Sequence, residues 1–374
     1  MWRDSWREWR NRLLMSPRFQ RAAAAFWLSR PQARREAREL FDLVAGFTYS
    51  QITLSCVRLG LLERVRAGRV SEAILIESLA MSVAAARTLL RAAAALELLE
   101  PANLDEDRAG WALGRRGAAL LGNPGVLAMI EHHAVLYGDL VDPLAMLRAP
   151  RGATALAKYW PYASASTPGE VAAEKTHDYT RLMAASQSLV AEEILDAYDV
   201  RGHRAILDVG GGDGSFLRAL AQRSANIHLM LFDLPGVAAV ARERFAAAHL
   251  LDRVQIFGGD FSRDTLPVGA DLVSFVRVLH DHDDPLVERL LRAAAAALPP
   301  GGRILVAEPM AGTGGAERMG DAYFGLYLWA MGSGRPRSAQ ELTVMLENAG
   351  FCRIRRCPTR IPLQTSVLVG ERAG

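Results

Sequence analysis

After Gly202, short apolar runs alternate regularly with helical segments, and this alternation limits the fold more than any other feature of the sequence. Each run is rich in β-branched or other apolar residues and has the length of a strand. Strands that alternate with helices predict βαβ units and a parallel, doubly wound α/β sheet, whose ligand binds beyond the carboxyl ends of the strands. The predicted strands are residues 204–210, 228–233, 254–260, 272–278 and 303–309, and the predicted helices are Ser215–Gln222, Val237–Ala248 and Pro285–Leu298.

The first half of the chain is predominantly helical. A chain of 374 residues has room for about two domains. Between residues 36 and 122 the pattern predicts three helices and a short hairpin, which is a winged-helix arrangement. We divide the chain into an N-terminal arm (1–35), a helical winged-helix-like domain (36–180) and a catalytic domain (181–374). The first helix of the second domain is expected to be long and mostly buried, with apolar positions at Phe41, Val44, Tyr49, Ile52, Cys56 and Leu59.

A winged helix can bind DNA, but this sequence does not favour that function. The helix that would read bases, VAAARTLLRAAAALELL, carries only Arg87 and Arg91 as basic residues. It lacks the polar side chains with which a recognition helix contacts base edges. We therefore expect no nucleic-acid partner and interpret the domain as a packing or dimerisation unit.

The arm is strongly basic and carries tryptophans on one predicted helical face. Residues 1–40 contain ten arginines and four acidic residues. Trp2, Trp6, Trp9 and Leu13 have the spacing of one side of a helix. Two interpretations stay open. The rings could lie among lipid headgroups while the arginines meet anionic lipid, or the aromatic face could pack on a partner subunit.

We expect a cytoplasmic protein, with peripheral contact at the inner membrane as an option. The N-terminus lacks the apolar segment of a secretory signal, and no run approaches the ~20 apolar residues that span a bilayer. Cys56, Cys352 and Cys357 are too few and too scattered for a disulfide framework or a zinc site. No metal is predicted.

The most informative motif is DVGGGDG at residues 208–214, where the first predicted strand turns into a helix. Glycines there permit unusual backbone angles and let a ligand approach the backbone closely. Related turns occur in NAD-dependent enzymes, so the turn alone is a weak signal. Acids also end the next two strands. Asp233 suits the two hydroxyls of a ribose, and Asp260 followed by Phe261 suits the amine and ring of a purine.

The acidic residues distinguish between two cofactors. A pyrophosphate prefers backbone N–H groups without nearby anions, so Asp208 and Asp213 argue against an NAD(P)-dependent oxidoreductase. They favour a ligand with an ammonium or sulfonium group, because opposite charges attract strongly in a partly dry site. S-adenosylmethionine carries both groups and is the predicted cofactor.

These residues resemble the S-adenosylmethionine-dependent O-methyltransferases of the caffeate/acetylserotonin type. The helical half resembles the winged-helix dimerisation domain of that family, which implies a homodimer. Within the family, residues 41–51, 120–140, 183–198 and 319–338 look most like the purple-bacterial carotenoid enzymes, the hydroxyneurosporene (demethylspheroidene) O-methyltransferases. The stretches that carry the family resemblance are LDVGGGDG (207–214), FDLP (232–235), GGDF (258–261), VRVLHDHDD (276–284) and ILVAEPM (304–310).

The resemblance implies a role for each matching position. His280 would accept the proton of the acceptor hydroxyl, and Glu308 matches an acid that plant members place beside their histidine. A second glutamate of the plant enzymes has no counterpart, because Gly334-Arg335-Pro336-Arg337-Ser338 stands in that region. The plant three-residue arrangement is therefore not carried over whole. The predicted cofactor-binding residues are Asp208, Gly210, Gly212, Asp233, Asp260, Phe261 and Arg277.

A histidine suits this reaction because an alcohol is a poor nucleophile until its proton leaves, and an imidazole titrates near working pH. Glu308 would orient the ring, and His282 is a second candidate base. The implied acceptor is a hydroxylated acyclic carotenoid; a small phenol or a bacteriochlorophyll-pathway tetrapyrrole is the alternative. A regulator without catalysis would need a basic recognition helix. The predicted acceptor tunnel is lined by Met129, Tyr137, Tyr159, Trp160, Tyr323, Tyr327, Trp329 and Met331.

Overall fold

A computed structural model of the chain describes residues 2–105, 108–159, 187 and 190–374. The described chain forms two compact units, Met1–Gly122 and Asn123–Gly374. The predicted boundary at 180/181 lies outside the described residues, as does Trp160 of the predicted tunnel.

The first unit has the predicted winged-helix arrangement. Its three-stranded antiparallel sheet has the order β1-β3-β2 and packs with two helices joined by a tight turn. Ser82 is the N-cap of the second of these helices, and its Oγ accepts a hydrogen bond from the Ala85 N–H. The elements are α1 Trp2–Leu14, α2 Pro17–Ala25, α3 Arg30–Arg58, α4 Leu61–Arg64, β1 Val70–Ser71, α5 Glu72–Ser78, α6 Val83–Ala95, β2 Leu99–Asp105, β3 Arg108–Leu113 and α7 Arg115–Leu121.

Arg87, one of two basic residues on α6, makes a contact within the unit. Its guanidinium lies 2.7 Å from a carboxylate oxygen of Glu72, and the Trp111 indole N–H donates to the other oxygen at 3.2 Å. These contacts tie α6 to α5 and to the hairpin. Arg87 therefore stabilises the packing of the helix pair.

The prediction that α3 is mostly buried is wrong for its N-terminal half. Phe41 is 61% exposed and Val44 is 72% exposed, whereas Cys56 near the C-terminal end is fully buried. Leu40, Leu43 and Phe47 are exposed as well. Periodicity identifies an apolar face correctly, but it does not reveal whether the same chain covers that face.

Among the described residues, α3 is one helix whose length and apolar composition would suffice to cross a bilayer. The sequence analysis found no run of spanning length, because polar residues interrupt the apolar positions of this helix. Length and composition alone do not establish a span, since the core helix of a water-soluble protein passes the same test.

The second unit contains the doubly wound sheet. Seven strands lie in the order β6-β5-β4-β7-β8-β10-β9. Strands β4 to β8 are parallel, and β10 pairs antiparallel with both β8 and β9. The strands are β4 Ala205–Val209, β5 His228–Asp233, β6 Val254–Gly258, β7 Leu272–Val276, β8 Arg303–Glu308, β9 Phe351–Cys357 and β10 Ser366–Arg372.

Helices cover both faces of this sheet. The central strands β4 and β7 are buried along their whole length, as expected for parallel strands between two helical layers. The five parallel strands and the three helices between them confirm the predicted fold class, and β9 and β10 complete the edge. The helices are α8 Pro124–Asp139, α9 Pro143–Arg148, α10 Ala155–Tyr159, α11 190–197, α12 Ser215–Arg223, α13 Pro235–Ala247, α14 Asp284–Ala297, α15 Phe324–Met331 and α16 Ala339–Asn348.

Residues 123–159, which the sequence analysis grouped with the helical domain, belong to the sheet-containing unit. Leu136 on α8, Met146 on α9 and Leu156 on α10 pack against Tyr327 and Leu328 of α15. Composition does not separate one helical stretch from the next, so this grouping becomes visible only through packing.

Candidate active site

The glycine turn lies between β4 and α12, at the carboxyl edge of the sheet. Gly210 has φ +71°, and a Cβ at this position would come within 2.8 Å of a Val278 methyl group. Its N–H donates to the Phe232 carbonyl at 2.8 Å, which holds the turn against β5. Only a residue without a side chain adopts this conformation in this space. A Cβ at Gly212 would meet nothing within 4 Å, so the turn is open there.

Asp208 lies beneath this turn and is almost fully buried. Its Oδ1 accepts a hydrogen bond from Ser274 Oγ at 2.7 Å, and its Oδ2 has no hydrogen-bond partner among the residues that the structure describes. Burial, aided by the nearby Asp233 carboxylate, raises the pKa of Asp208 to about 7 despite the Ser274 hydrogen bond. A buried carboxylate with an unused oxygen is well suited to a cationic ligand.

Asp233 ends β5 and faces the same turn. Its Oδ2 accepts from the Gly212 N–H at 2.8 Å, and its Oδ1 accepts from the Leu234 N–H at 2.7 Å. Burial raises the pKa of Asp233 to about 6 in spite of these two hydrogen bonds. The side chain is thereby fixed beside the glycines.

Asp260 and Phe261 follow β6, the next strand along the sheet edge. The Gly259 N–H donates to the Asp233 carbonyl at 2.9 Å, which joins this loop to the end of β5. Asp260 Oδ1 accepts from the Ser262 N–H at 2.8 Å, and the Phe261 ring meets the edge of His282 with ring centres 5.2 Å apart. These two residues therefore lie on the His282 side of the glycine turn.

Asp213 has a different role from the one that the sequence analysis gave it. It accepts from the Ser215 N–H at 3.0 Å at the start of α12, and its Oδ2 lies 3.3 Å from the Arg218 guanidinium. Its charge is paired with Arg218 and its Oδ1 is used by the backbone at the start of α12, so it does not argue against a phosphate. That argument now depends on Asp208.

His280 lies in the turn after β7 and is 5% exposed. Its Nδ1 makes a short hydrogen bond to Glu308 Oε2. Glu308 ends β8, and its Oε1 accepts from the Val278 N–H at 3.0 Å and the Leu279 N–H at 2.7 Å. Two backbone donors thus fix the carboxylate, and the carboxylate fixes the ring. The predicted pair of His280 and Glu308 is brought together in a geometry that directs Nε2 toward other partners.

Asp281 is a neighbour of this pair that the sequence analysis missed. Its Oδ1 lies 3.2 Å from His280 Nε2, so the imidazole stands between two carboxylates. Burial lowers the pKa of His280, but the Asp281 and Glu308 carboxylates outweigh burial, and the net pKa is raised. The adjacent His282 has its pKa lowered, because burial is the larger effect there. The motif HDH contained the signal, since the residue after a histidine in a tight turn can reach its ring.

Arg277 directly follows β7, three residues before His280. It has φ +57°, a left-handed conformation that is strained by roughly 1–3 kcal/mol for a residue with a side chain. Its N–H donates to the Ala307 carbonyl at 2.8 Å. Its positive charge opposes the raised pKa of His280 and also acts on Tyr323.

Comparisons with known proteins identify the family of this chain. A family model described as an O-methyltransferase domain matches residues 159–352. Demethylspheroidene O-methyltransferase of Cereibacter sphaeroides is 42% identical over 364 residues, which is 96% of this chain and 94% of that protein. The chain belongs to the O-methyltransferase family. The enzyme of the same name from Rhodobacter capsulatus is 40% identical and covers 97% of this chain and 89% of its own length.

The fold also matches solved members of the family. Human N-acetylserotonin methyltransferase in complex with S-adenosylmethionine superposes with a TM-score of 0.75 at 20% identity, covering 91% of this chain and 98% of that chain. This likeness shows that the chain has the methyltransferase fold. The residues present fit this donor, because the unpartnered Asp208 oxygen and the open turn at Gly212 supply an anionic group and space beside it.

In this O-methyltransferase, residues 332–338 donate hydrogen bonds to the backbone of the turn that contains His280. The buried Arg337 guanidinium donates to the carbonyls of Leu279 at 2.8 Å and His282 at 2.7 Å, one on each side of His280. Ser333 Oγ donates to the Asp281 carbonyl at 2.7 Å. The segment that departs from the plant pattern thus supports the turn that contains His280, although it supplies no glutamate to it.

Aromatic side chains lie next to His280. The Phe324 ring meets the imidazole edge-on with centres 5.6 Å apart, and Tyr323 contacts Phe324 at 5.0 Å. The Tyr323 hydroxyl is 2.6 Å from His133 Nε2, and the Tyr327 hydroxyl is 2.7 Å from His132 Nε2. Met331, another predicted tunnel residue, is fully buried in the packing of α15.

Proposed function

We propose that the protein transfers a methyl group from S-adenosylmethionine to a hydroxyl of an acyclic carotenoid of the hydroxyneurosporene/demethylspheroidene type. The observation that supports this acceptor most directly is the 42% and 40% identity, over nearly the whole chain, to two proteins named demethylspheroidene O-methyltransferase. The aromatic surroundings of His280 agree with an apolar acceptor.

The donor site would be built from three strand ends. Asp208 and Asp233 would attract the positive charges of the donor, and Asp233 would also bind the ribose hydroxyls. Gly210 and Gly212 would let the donor lie against the backbone. Asp260 and Phe261 would bind the adenine by hydrogen bond and stacking, and Arg277 would close the site on the histidine side. When bound, the donor supplies a methyl group on a positively charged sulfur.

His280 would act as the general base. The Glu308 hydrogen bond at Nδ1 would orient the ring, and Nε2 would take the proton of the acceptor hydroxyl once that hydroxyl replaces Asp281 Oδ1, which lies 3.2 Å from Nε2. Glu308 and Asp281 would stabilise the imidazolium that results. A tertiary alcohol of a carotenoid is far less acidic than a phenol, so its proton would leave during methyl transfer and not before it. Placement of the hydroxyl oxygen about 3 Å from the methyl carbon would then matter more than matching of pKa values.

We also propose that the protein is a homodimer in the cytoplasm. The exposed apolar face at Phe41, Val44 and Phe47 would be covered by the second subunit, since apolar patches on a helix of this length are usually interaction sites.

The affinity for the donor should decrease as the pH is lowered, because two carboxyls of the proposed donor site have raised pKa values. Below about pH 7 Asp208 becomes protonated, and below about pH 6 Asp233 follows, so the attraction for a cation is lost as pH decreases. We expect the Kd of S-adenosylmethionine, measured by calorimetry, to rise about tenfold or more between about pH 8 and about pH 5.5. Asp208→Asn should weaken binding at the higher pH and flatten the dependence. An unchanged Kd across this range in the wild-type protein would contradict the donor assignment.

The acceptor is identified by incubation of the purified protein with methyl-labelled S-adenosylmethionine and three groups of acceptors. We expect label in hydroxylated acyclic carotenoids and none in small phenols or tetrapyrroles. Carotenoids that lack the hydroxyl serve as the matched control. Label in a phenol or a tetrapyrrole, with none in any carotenoid, would replace the proposed acceptor.

A further inference from the structure

The N-terminal arm presents an apolar stripe that nothing in the described chain covers. On α1, Trp6 is 57% exposed and Trp9 is 56% exposed. Leu13, one turn further along, lies on the same side of the helix, at an angle between those of the two tryptophans. None of the described side chains of α1 is buried. Two solvent-exposed tryptophans on one stripe of a helix form an apolar surface that is open to a partner.

Charge decides which partner suits this stripe. At 100° per residue, Arg10 lies on one flank of the stripe and Arg12 on the other, while Glu8 lies toward the opposite side. The Arg10 guanidinium stacks over the Trp6 ring at 5.3 Å, so cation and aromatic ring share one edge. Indole rings flanked by guanidinium groups match the boundary between acyl chains and anionic headgroups.

A second apolar element in the arm repeats this composition. Phe26, Trp27 and Leu28 follow α2 and are 53%, 70% and 62% exposed. They lie between Arg21 and Arg30 in the sequence. The arm therefore has two apolar contact points with basic flanks, and basic flanks suit an anionic surface.

We propose that residues 1–30 bind the surface of bilayers that contain anionic lipid, with α1 parallel to the membrane plane and Trp6 and Trp9 at headgroup depth. Two contact points favour lasting attachment, because a single short amphipathic helix binds weakly. The use of this attachment rests on the proposed function, since a carotenoid acceptor dissolves in the bilayer. Lipid binding itself requires no acceptor.

The test measures co-sedimentation of the full-length protein with large unilamellar vesicles. We expect binding to vesicles of phosphatidylcholine with about one third phosphatidylglycerol, and at least about tenfold weaker binding to phosphatidylcholine alone or in high salt. Trp6→Ala/Trp9→Ala and Arg10→Glu/Arg12→Glu should each weaken binding to anionic vesicles at least about tenfold. Val141→Ala/Leu144→Ala, which removes two exposed apolar side chains outside the arm, should bind as the wild type does.

Oligomeric state, measured by light scattering, separates lipid from a partner subunit. The proposal requires that the arm variants keep the oligomeric state of the wild type. It is overturned if the wild type does not bind anionic vesicles or if the arm variants bind them as strongly as the wild type does. It is also overturned if the tryptophan variant has a smaller oligomeric state than the wild type. The assay contains no acceptor, so failure here leaves methyl transfer to a carotenoid standing, and failure of the acceptor assay leaves lipid binding standing.

Discussion

Replacement of His280 by glutamine should lower kcat for methyl transfer at least ~100-fold, the usual scale for loss of a general base. Glutamine retains a polar side chain of similar reach but takes up no proton. The imidazole is held by Glu308 on Nδ1 and lies 3.2 Å from Asp281 on Nε2, so its orientation is fixed before an acceptor arrives. Donor affinity should not change, because the strand-end carboxylates that would bind the donor remain.

Turnover with labelled donor and calorimetric binding of S-adenosylhomocysteine measure the two quantities separately. A second readout is the pH profile. Because the pKa of His280 is raised, the wild-type rate should fall on the acid side with a midpoint above the ordinary histidine value, and this limb should disappear in His280→Gln. His282→Gln is the matched control, since it alters a histidine two residues away. If kcat were lost in His282→Gln but fell little in His280→Gln, His282 would be the base.

The catalytic half of the fold follows from sequence pattern because both of its signals are local. Parallel strands buried on two sides give continuous apolar runs, and the glycines after β4 mark the edge where a ligand lies. Strands β9 and β10 were missed. Phe351–Cys357 is an edge strand that alternates apolar and arginine residues, and such a run resembles an exposed segment of any kind.

Packing between distant segments could not be read in the same way. The family resemblance implied His280 and Glu308 as a pair, and their places after β7 and at the end of β8 agree with it. It gave no sign that Arg337 would reach the carbonyls of Leu279 and His282, since hydrogen bonds to a backbone leave no pattern in residue types. The exposure of Phe41 has a related cause, because an apolar face looks alike whether its partner is the same chain or another surface.

The second large fall in kcat is expected for Gly334→Ala, because residues 332–338 contact the backbone of the turn that contains His280. Gly334 has φ +75°, and a Cβ there would overlap the carbonyl oxygen of His280 and lie 2.5 Å from the carbonyl carbon of Asp281. These atoms are backbone, so the clash cannot be relieved by a side-chain rotation. Since a shift of about 1 Å in a reacting group costs up to ~100-fold in rate, kcat should fall on that scale while donor binding persists.

Gly312→Ala is the matched control for this substitution. Gly312 has φ +62°, but a Cβ there would meet nothing within 4 Å. Both variants carry the left-handed strain of about 1–2 kcal/mol, which thermal unfolding measures, and only Gly334→Ala displaces His280. Ser333→Ala removes the hydrogen bond to the Asp281 carbonyl without any clash, and it should lower kcat only several-fold. Equal kcat values for the two glycine variants would mean that residues 332–338 do not position the base, because strain alone would then account for the whole effect.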